Sequence, residues 1–150
     1  MTARPCSTEA VGQRVVAAAR GWLGTPYHHQ MAVKGAGCDC LGLVRGVYAE
    51  VMGREPETPP PYSPDWAEAT GCETMLEAAA RHLRRIEHGV LQPGDVLIFR
   101  MRRGAVAKHA GIFSGEGQFI HAFEGAPACE VPLSLWWQRR LAAAFRFPGA

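Results

Sequence analysis

Apolar residues recur at helical spacing near the start of the chain. Val11, Val15, Val16, Ala19, Trp22 and Leu23 fall on one face of a first helix, which Ser7 or Thr8 can cap and Gly24 ends. Thr25-Pro26-Tyr27 then turns the chain into an extended approach to the glycine-rich turn before Asp39. A second apolar run, through Leu41, Leu43, Val44, Val47, Tyr48 and Val51, reads as a helix with Asp39 as its N-cap. Gly53 is the expected stop, since a left-handed residue there closes a helix. Pro56, Pro59, Pro60, Pro61 and Pro64 exclude helix and central strand from 54–64, which reads as a stiff surface excursion. Beyond it, Asp65 is expected to cap a short helix that Gly71 interrupts. Thr70 with Glu73 offers a capping box for another helix, through Leu76, Ala80, Leu83 and Ile86.

From residue 90 the pattern changes to short strands. Leu91-Gln92-Pro93-Gly94-Asp95 is a turn, and 96–99 is a continuous apolar run suited to a buried strand. A second strand over 108–113 and a third over 118–123 flank Ser114-Gly115-Glu116-Gly117, which is hairpin chemistry. A fourth near 129–133 and a last near 143–147 complete the sheet, with Trp136 and Trp137 packing one end of the core between them. Helices first and strands afterwards predict an α+β fold: N-terminal helices packed on a C-terminal antiparallel sheet of about five strands. The whole of 1–150 is expected to form one domain, since 150 residues suit a single core.

Composition narrows the function classes. Hydrophobic residues are 47% and charged residues 20%, ordinary for a globular protein. A net charge of +2 with no dense basic run argues against nucleic acid. Arg81, Arg84 and Arg85 read as the solvated face of one helix. No stretch approaches a membrane span, so no membrane insertion is expected. The segment Met1-Thr2-Ala3-Arg4-Pro5-Cys6 lacks the apolar core of a secretory signal, so synthesis in the cytoplasm is expected, with export by another route. Five cysteines, an odd number without dense spacing, point to free thiols.

One of those thiols stands where a cysteine becomes reactive. Cys40 falls in the first turn of the second helix, where unpaired N–H groups and the helix dipole favour an anion. A thiol catalyst also needs a base and a group to orient it. His109 and His121 lie one on each arm of the predicted hairpin. An odd number of residues in the loop between the strands turns both to one face. His109 would then take the thiol proton, His121 would hold the useful tautomer, and an imidazolium beside Cys40 would lower the thiol pKa. Blander readings stay open: Cys38 and Cys40 as a small buried pair or half of a zinc site, and the histidines as core or edge residues. His82 and His88 flank a helix with no visible partner, and Asp95 has a turn role.

Five pieces in order carry a resemblance. They are Gly24-Thr25-Pro26-Tyr27, Asp39-Cys40-Leu41-Gly42-Leu43-Val44, Leu91-Gln92-Pro93-Gly94-Asp95-Val96, His109-Ala110-Gly111-Ile112-Phe113 and Ile120-His121-Ala122. Over about residues 10–147 the chain resembles the NlpC family of cell-wall peptidases, papain-like cysteine enzymes that cut peptidoglycan stem peptides. The resemblance implies Cys40 as nucleophile, His109 as base and His121 as third polar residue, with no cofactor or metal. It places Tyr27, Asp39 and Leu41 on the substrate side. Leu41 departs from the serine usual after the nucleophile, and His28-His29-Gln30 from the paired glycines usual after the tyrosine. The pattern over 25–30 and 37–42, with Pro61-Tyr62-Ser63-Pro64-Asp65-Trp66, looks like the branch found in phage tails and gene transfer agents. The implied role is envelope penetration: incorporation into a phage-like tail, tail-tip or baseplate proteins as partners, and action in the target cell's periplasm. The implied bond joins the D-glutamate γ-carboxyl to a diamino acid such as diaminopimelate. A structural tail-tip component with dispensable catalysis and a related thiol amidase or acyltransferase are the alternatives.

Overall fold

A computed structural model describes residues 8–57 and 73–150. The predicted elements Asp65 and Gly71, the Thr70 half of the capping box, and Pro59 to Pro64 lie outside the described residues. The first helix, α1, spans Thr8–Arg20, and its Val15 and Ala19, with Trp22 just beyond, are fully buried. Leu23 leaves the predicted apolar face and is exposed, because the helix ends at Arg20 and a turn carries the chain away. A short ribbon of β1 (Ala32–Val33) and β2 (Gly37–Cys38) leads into α2 (Cys40–Met52). Asp39 caps α2 as predicted, its Oδ1 accepting from the Gly42 N–H at 2.7 Å, and Gly53 closes the helix at φ 80°.

The third helix, α3 (Thr74–His82), is shorter than its apolar spacing predicts. Leu83 is extended, and Arg84–Ile86 forms a strand, β3, paired antiparallel with the last strand. That pairing and the packing of Ile86 into the outer apolar cluster win over continued helix. Arg81 thus stays on the helix while Arg84 and Arg85 move to a sheet edge. Glu73 makes no side-chain cap; its Oε1 accepts from the Ala107 N–H at 2.9 Å, and its other oxygen meets Arg100. His82 has a partner invisible in the sequence pattern, Glu57, at 2.7 Å.

The sheet has six strands rather than about five, all antiparallel, in the order β3-β8-β4-β5-β6-β7. Its other members are β4 (Val96–Phe99), β5 (His109–Gly115), β6 (Gln118–His121), β7 (Cys129–Pro132) and β8 (Leu141–Arg146). One face buries Val96, Ile98, Ala110, Ile112, Ile120 and Phe145 against α1 and α2. The other buries Leu97, Phe99, Phe119 and Ala144. Because β7 is an edge and β8 an interior strand, their connection must cross β6, β5 and β4. It does so on the second face, where its one-turn helix α4 (Leu135–Gln138) lays Trp137 on Phe99 and Phe119.

The turn before β4 anchors both ends of the chain. Asp95, 1% exposed, accepts from the Gln92 N–H at 2.7 Å and from Arg146 of β8 at 2.8 and 3.0 Å. Gly94 sits at φ 98°, and a Cβ there would meet the Gly12 backbone of α1 at 2.7 Å. No helix of the described residues is long and apolar enough to cross a membrane.

Candidate active site

Cys40 is the first residue of α2, and its position is set by the segments on either side. Cys38 is fully buried in the helix-side core, donating its N–H to Pro26 and accepting from the His28 N–H, both at 3.0 Å. This pairing lays Tyr27 alongside β2. Asp39, 3% exposed, accepts from Gly42 through Oδ1 and from the Gln30 N–H through Oδ2 at 2.8 Å. Asp39 therefore locks the turn and the helix start together. Gly42 has no room for a side chain: a Cβ would lie 2.0 Å from the Met31 carbonyl oxygen.

The Cys40 sulfur lies 3.8 Å from the Lys108 carbonyl oxygen, and the Ala110 N–H also reaches it. The thiol is thus held against the backbone on both sides of His109. His109 and His121 share a face, as the hairpin reading required. The odd spacing comes from a bulge: Phe113 pairs with Phe119 but Gly115 with Gln118, leaving Ser114 extra. The two rings meet at 2.8 Å between His109 Nε2 and His121 Nδ1. Gly111 makes this possible, since a Cβ there would strike the Phe119 ring at 2.7 Å and crowd His121. With Nε2 engaged, Nδ1 is the His109 nitrogen left to act as base. That role puts the proton on Nε2, donated to His121.

Burial is the largest influence on the charge balance of the site. It pushes the Cys40 thiol up to about 12, reinforced by the Asp39 carboxylate and opposed by the N–H groups of Ala110, Leu41 and Cys40. Burial and then the neighbouring His121 push His109 down to about 3, and burial pushes His121 down to about 4. Burial thus works against both charged forms, the thiolate of Cys40 and the imidazolium of His109, and so against the expected ion pair. Tyr27 is likewise pushed up to about 12, by burial and then by Cys40 and Asp39, so its phenol stays a hydrogen-bond donor.

Five of the six predicted residues, Tyr27, Asp39, Cys40, Leu41 and His109, line one cleft of about 180 Å³, with His121 behind His109. The same cleft takes in His29, Met75, Met101, Lys108, Phe123 and Glu124, which sequence reasoning did not assign. Lys108 stands next to His109, and Phe123 and Glu124 just after His121, so adjacency was the available signal. Nothing in the sequence pointed to Met75 or Met101.

Comparison with known proteins places the chain in a family. The model of the NlpC/P60 family matches residues 24–146. The chain is 28% identical over 134 residues to a gamma-DL-glutamyl hydrolase of Bacillus subtilis, covering 89% of this chain and 29% of the relative. It is 30% identical over 132 residues to a probable endopeptidase of Corynebacterium glutamicum, covering 88% and 51% respectively. The chain thus spans about half the length, or less, of these curated relatives. In fold it is similar to the NlpC/p60 domain of the peptidoglycan hydrolase SagA, with a TM-score of 0.67 at 24% identity over 91% of this chain and 98% of that one. Match, fold and site together place the sequence: this chain belongs to the NlpC/P60 family.

Proposed function

We propose that this chain is a cysteine endopeptidase that hydrolyses peptidoglycan stem peptides. The observation that carries the reading is a helix-start thiol pressed against the strand of a base that is itself hydrogen-bonded to a second histidine, all at one cleft. Because burial disfavours both the thiolate and the imidazolium, proton transfer is proposed to accompany attack. The Cys40 S–H proton passes to His109 Nδ1 as sulfur bonds to the scissile carbonyl carbon. The Cys40 backbone N–H, at the helix start, is the candidate donor to the oxyanion. Collapse breaks the C–N bond, and His109 returns the proton to the leaving amine. Water then adds to the thioester, giving its proton to His109 and restoring the thiol.

The bond proposed is that between the D-glutamate γ-carboxyl and a diamino acid such as diaminopimelate. The name of the glutamyl hydrolase relative supports this choice. The setting proposed is a phage-like tail or gene transfer agent, whose tail-tip or baseplate proteins carry the domain to a target periplasm. The pattern over residues 25–30 and 37–42 supports it.

Purified protein incubated with purified muropeptides, with products identified by mass, tests the chemistry. The wild type is expected to release the γ-glutamyl and diamino-acid halves, with water and not an acceptor amine entering the product. Cys40→Ala is expected to lower the rate by more than roughly a thousandfold with the fold kept. Cys38→Ala, which removes only a packed side chain, keeps most of it. Full activity in Cys40→Ala overturns the nucleophile assignment, and intact muropeptides with wild type overturn the function.

A further inference from the structure

Among the described residues the His109–His121 pair has no acid anchor. Among the described residues the rings hydrogen-bond only to each other, and no carboxylate reaches either. One hydrogen bond fixes a distance but leaves both ring planes free to tilt, so the planes must be set by packing. Phe123 stacks on His121 at 5.8 Å and 16° and meets His109 edge-on at 5.1 Å and 72°, while the ring stacked on His109, the base itself, is Trp137. Its centroid lies 5.3 Å from that of His109 at 28°, a stacked contact, and 5.1 Å from that of His121 at 88°, an edge contact. Trp137 is in turn wedged by Phe99 at 5.0 Å, Phe119 at 5.2 Å and Phe123 at 5.8 Å. It arrives from outside the strands, on the four-residue helix of the β7–β8 crossover.

We propose that Trp137 is a positioning residue for the reaction, its indole face fixing the plane of the His109 ring and supporting that ring when it becomes cationic. The assignment rests on the cysteine-peptidase reading. Stacking fixes the direction of the Nδ1 lone pair towards the thiol. A π-face beside an imidazolium attracts it, and the attraction exists only once the proton has moved. Burial disfavours that cation, so the indole acts where the site otherwise resists charge. Loss of the face should therefore lower kcat and leave KM alone.

The test compares Trp137→Phe and Trp137→Leu with wild type in two measurements. The first is kcat and KM on purified muropeptides. The second needs no substrate: ¹⁵N spectra of the imidazoles followed against pH. Expected for Trp137→Leu is a kcat lowered roughly ten- to a hundredfold with KM within about twofold, as a misplaced catalytic group costs. Trp137→Phe, with a smaller ring, should fall between the two. In the spectra, His109 should titrate at lower pH in both variants, the larger shift in Trp137→Leu. Folded variants with wild-type kcat and wild-type imidazole titration overturn the proposal. If Trp137→Leu does not fold, Trp137→Phe decides: lowered kcat at constant KM with His109 titrating at lower pH supports it, and no change or a shift to higher pH overturns it. If wild type cleaves no muropeptide, the function fails, while the spectra still decide whether Trp137 holds the pair.

Discussion

Burial that disfavours the charged forms of Cys40, His109 and His121 ties the folded state to a window of pH. The neutral imidazoles of His109 and His121 titrate far below the ordinary value of 6.5, so the unfolded chain binds more protons below it. The stability these groups contribute is complete above about pH 6.5 and is lost as pH falls towards 4 and 3. The slope is about 1.36 kcal/mol per pH unit for each ring. From pH 7 to 5 this amounts to roughly 2 kcal/mol per histidine. Cys40 works in the opposite direction: its raised value means stability is complete below the ordinary thiol range near 9 and declines above it. Urea unfolding at pH 5, 7 and 9 should show a maximum at 7, and His109→Gln should flatten the acid side by about half. An acid slope unchanged in His109→Gln would remove the buried neutral ring from the account. That Cys40, His109 and His121 come together was legible in the sequence, because helix start, hairpin parity and motif order are local properties. Their charge states were not, because burial is a property of what packs around them.

Between elements, the decisive contacts are those where a side chain is missing. The N-terminal half of α2 presents Gly42 to the Met31 carbonyl, and one turn later Gly46 to the Trp22 ring, which a Cβ would approach to 2.1 Å. The helix start can then lie flat against the ribbon before it, which aims Cys40. Gly42→Ala should gain up to about 1 kcal/mol of helix propensity, but it forces Met31 away and strains the Gln30–Asp39 bond. The expected net cost is about 1–3 kcal/mol in thermal or urea unfolding, with a larger fractional loss of hydrolysis. Unchanged stability and activity would mean the ribbon can yield. Such close approaches explain why parts of the fold were hidden in the sequence. Leu76, Ala80, Leu83 and Ile86 have helical spacing, yet Arg84–Ile86 is a strand because β8 lies beside it. Trp137 read as packing for one end of the core. Its place on the histidines follows only from where the β7–β8 crossover must run.

Across the whole molecule, Asp95 and Arg146 join the turn beneath α1 to the last strand. Asp95 is 1% exposed, and the Arg146 side chain is 12% exposed, so the pair is shielded from water. Asp95→Ala leaves Arg146 uncompensated and should cost about 3–5 kcal/mol in urea unfolding, a large part of the stability of a domain this size. Removing both charges by Asp95→Leu and Arg146→Met should cost less than the two single changes together. Strict additivity would show that the pair is not coupled.

The place of β8 has a consequence in time. It lies between β3 and β4, strands made some fifty residues earlier, so the sheet has a gap at its interior until residues 141–146 leave the ribosome. The nucleophile and both histidines are already synthesised by then, but the crossover that brings Trp137 over them has nowhere to land. A nascent chain stopped short of β8 carries Cys40, His109 and His121 but lacks the strand that joins β3 to the rest of the sheet.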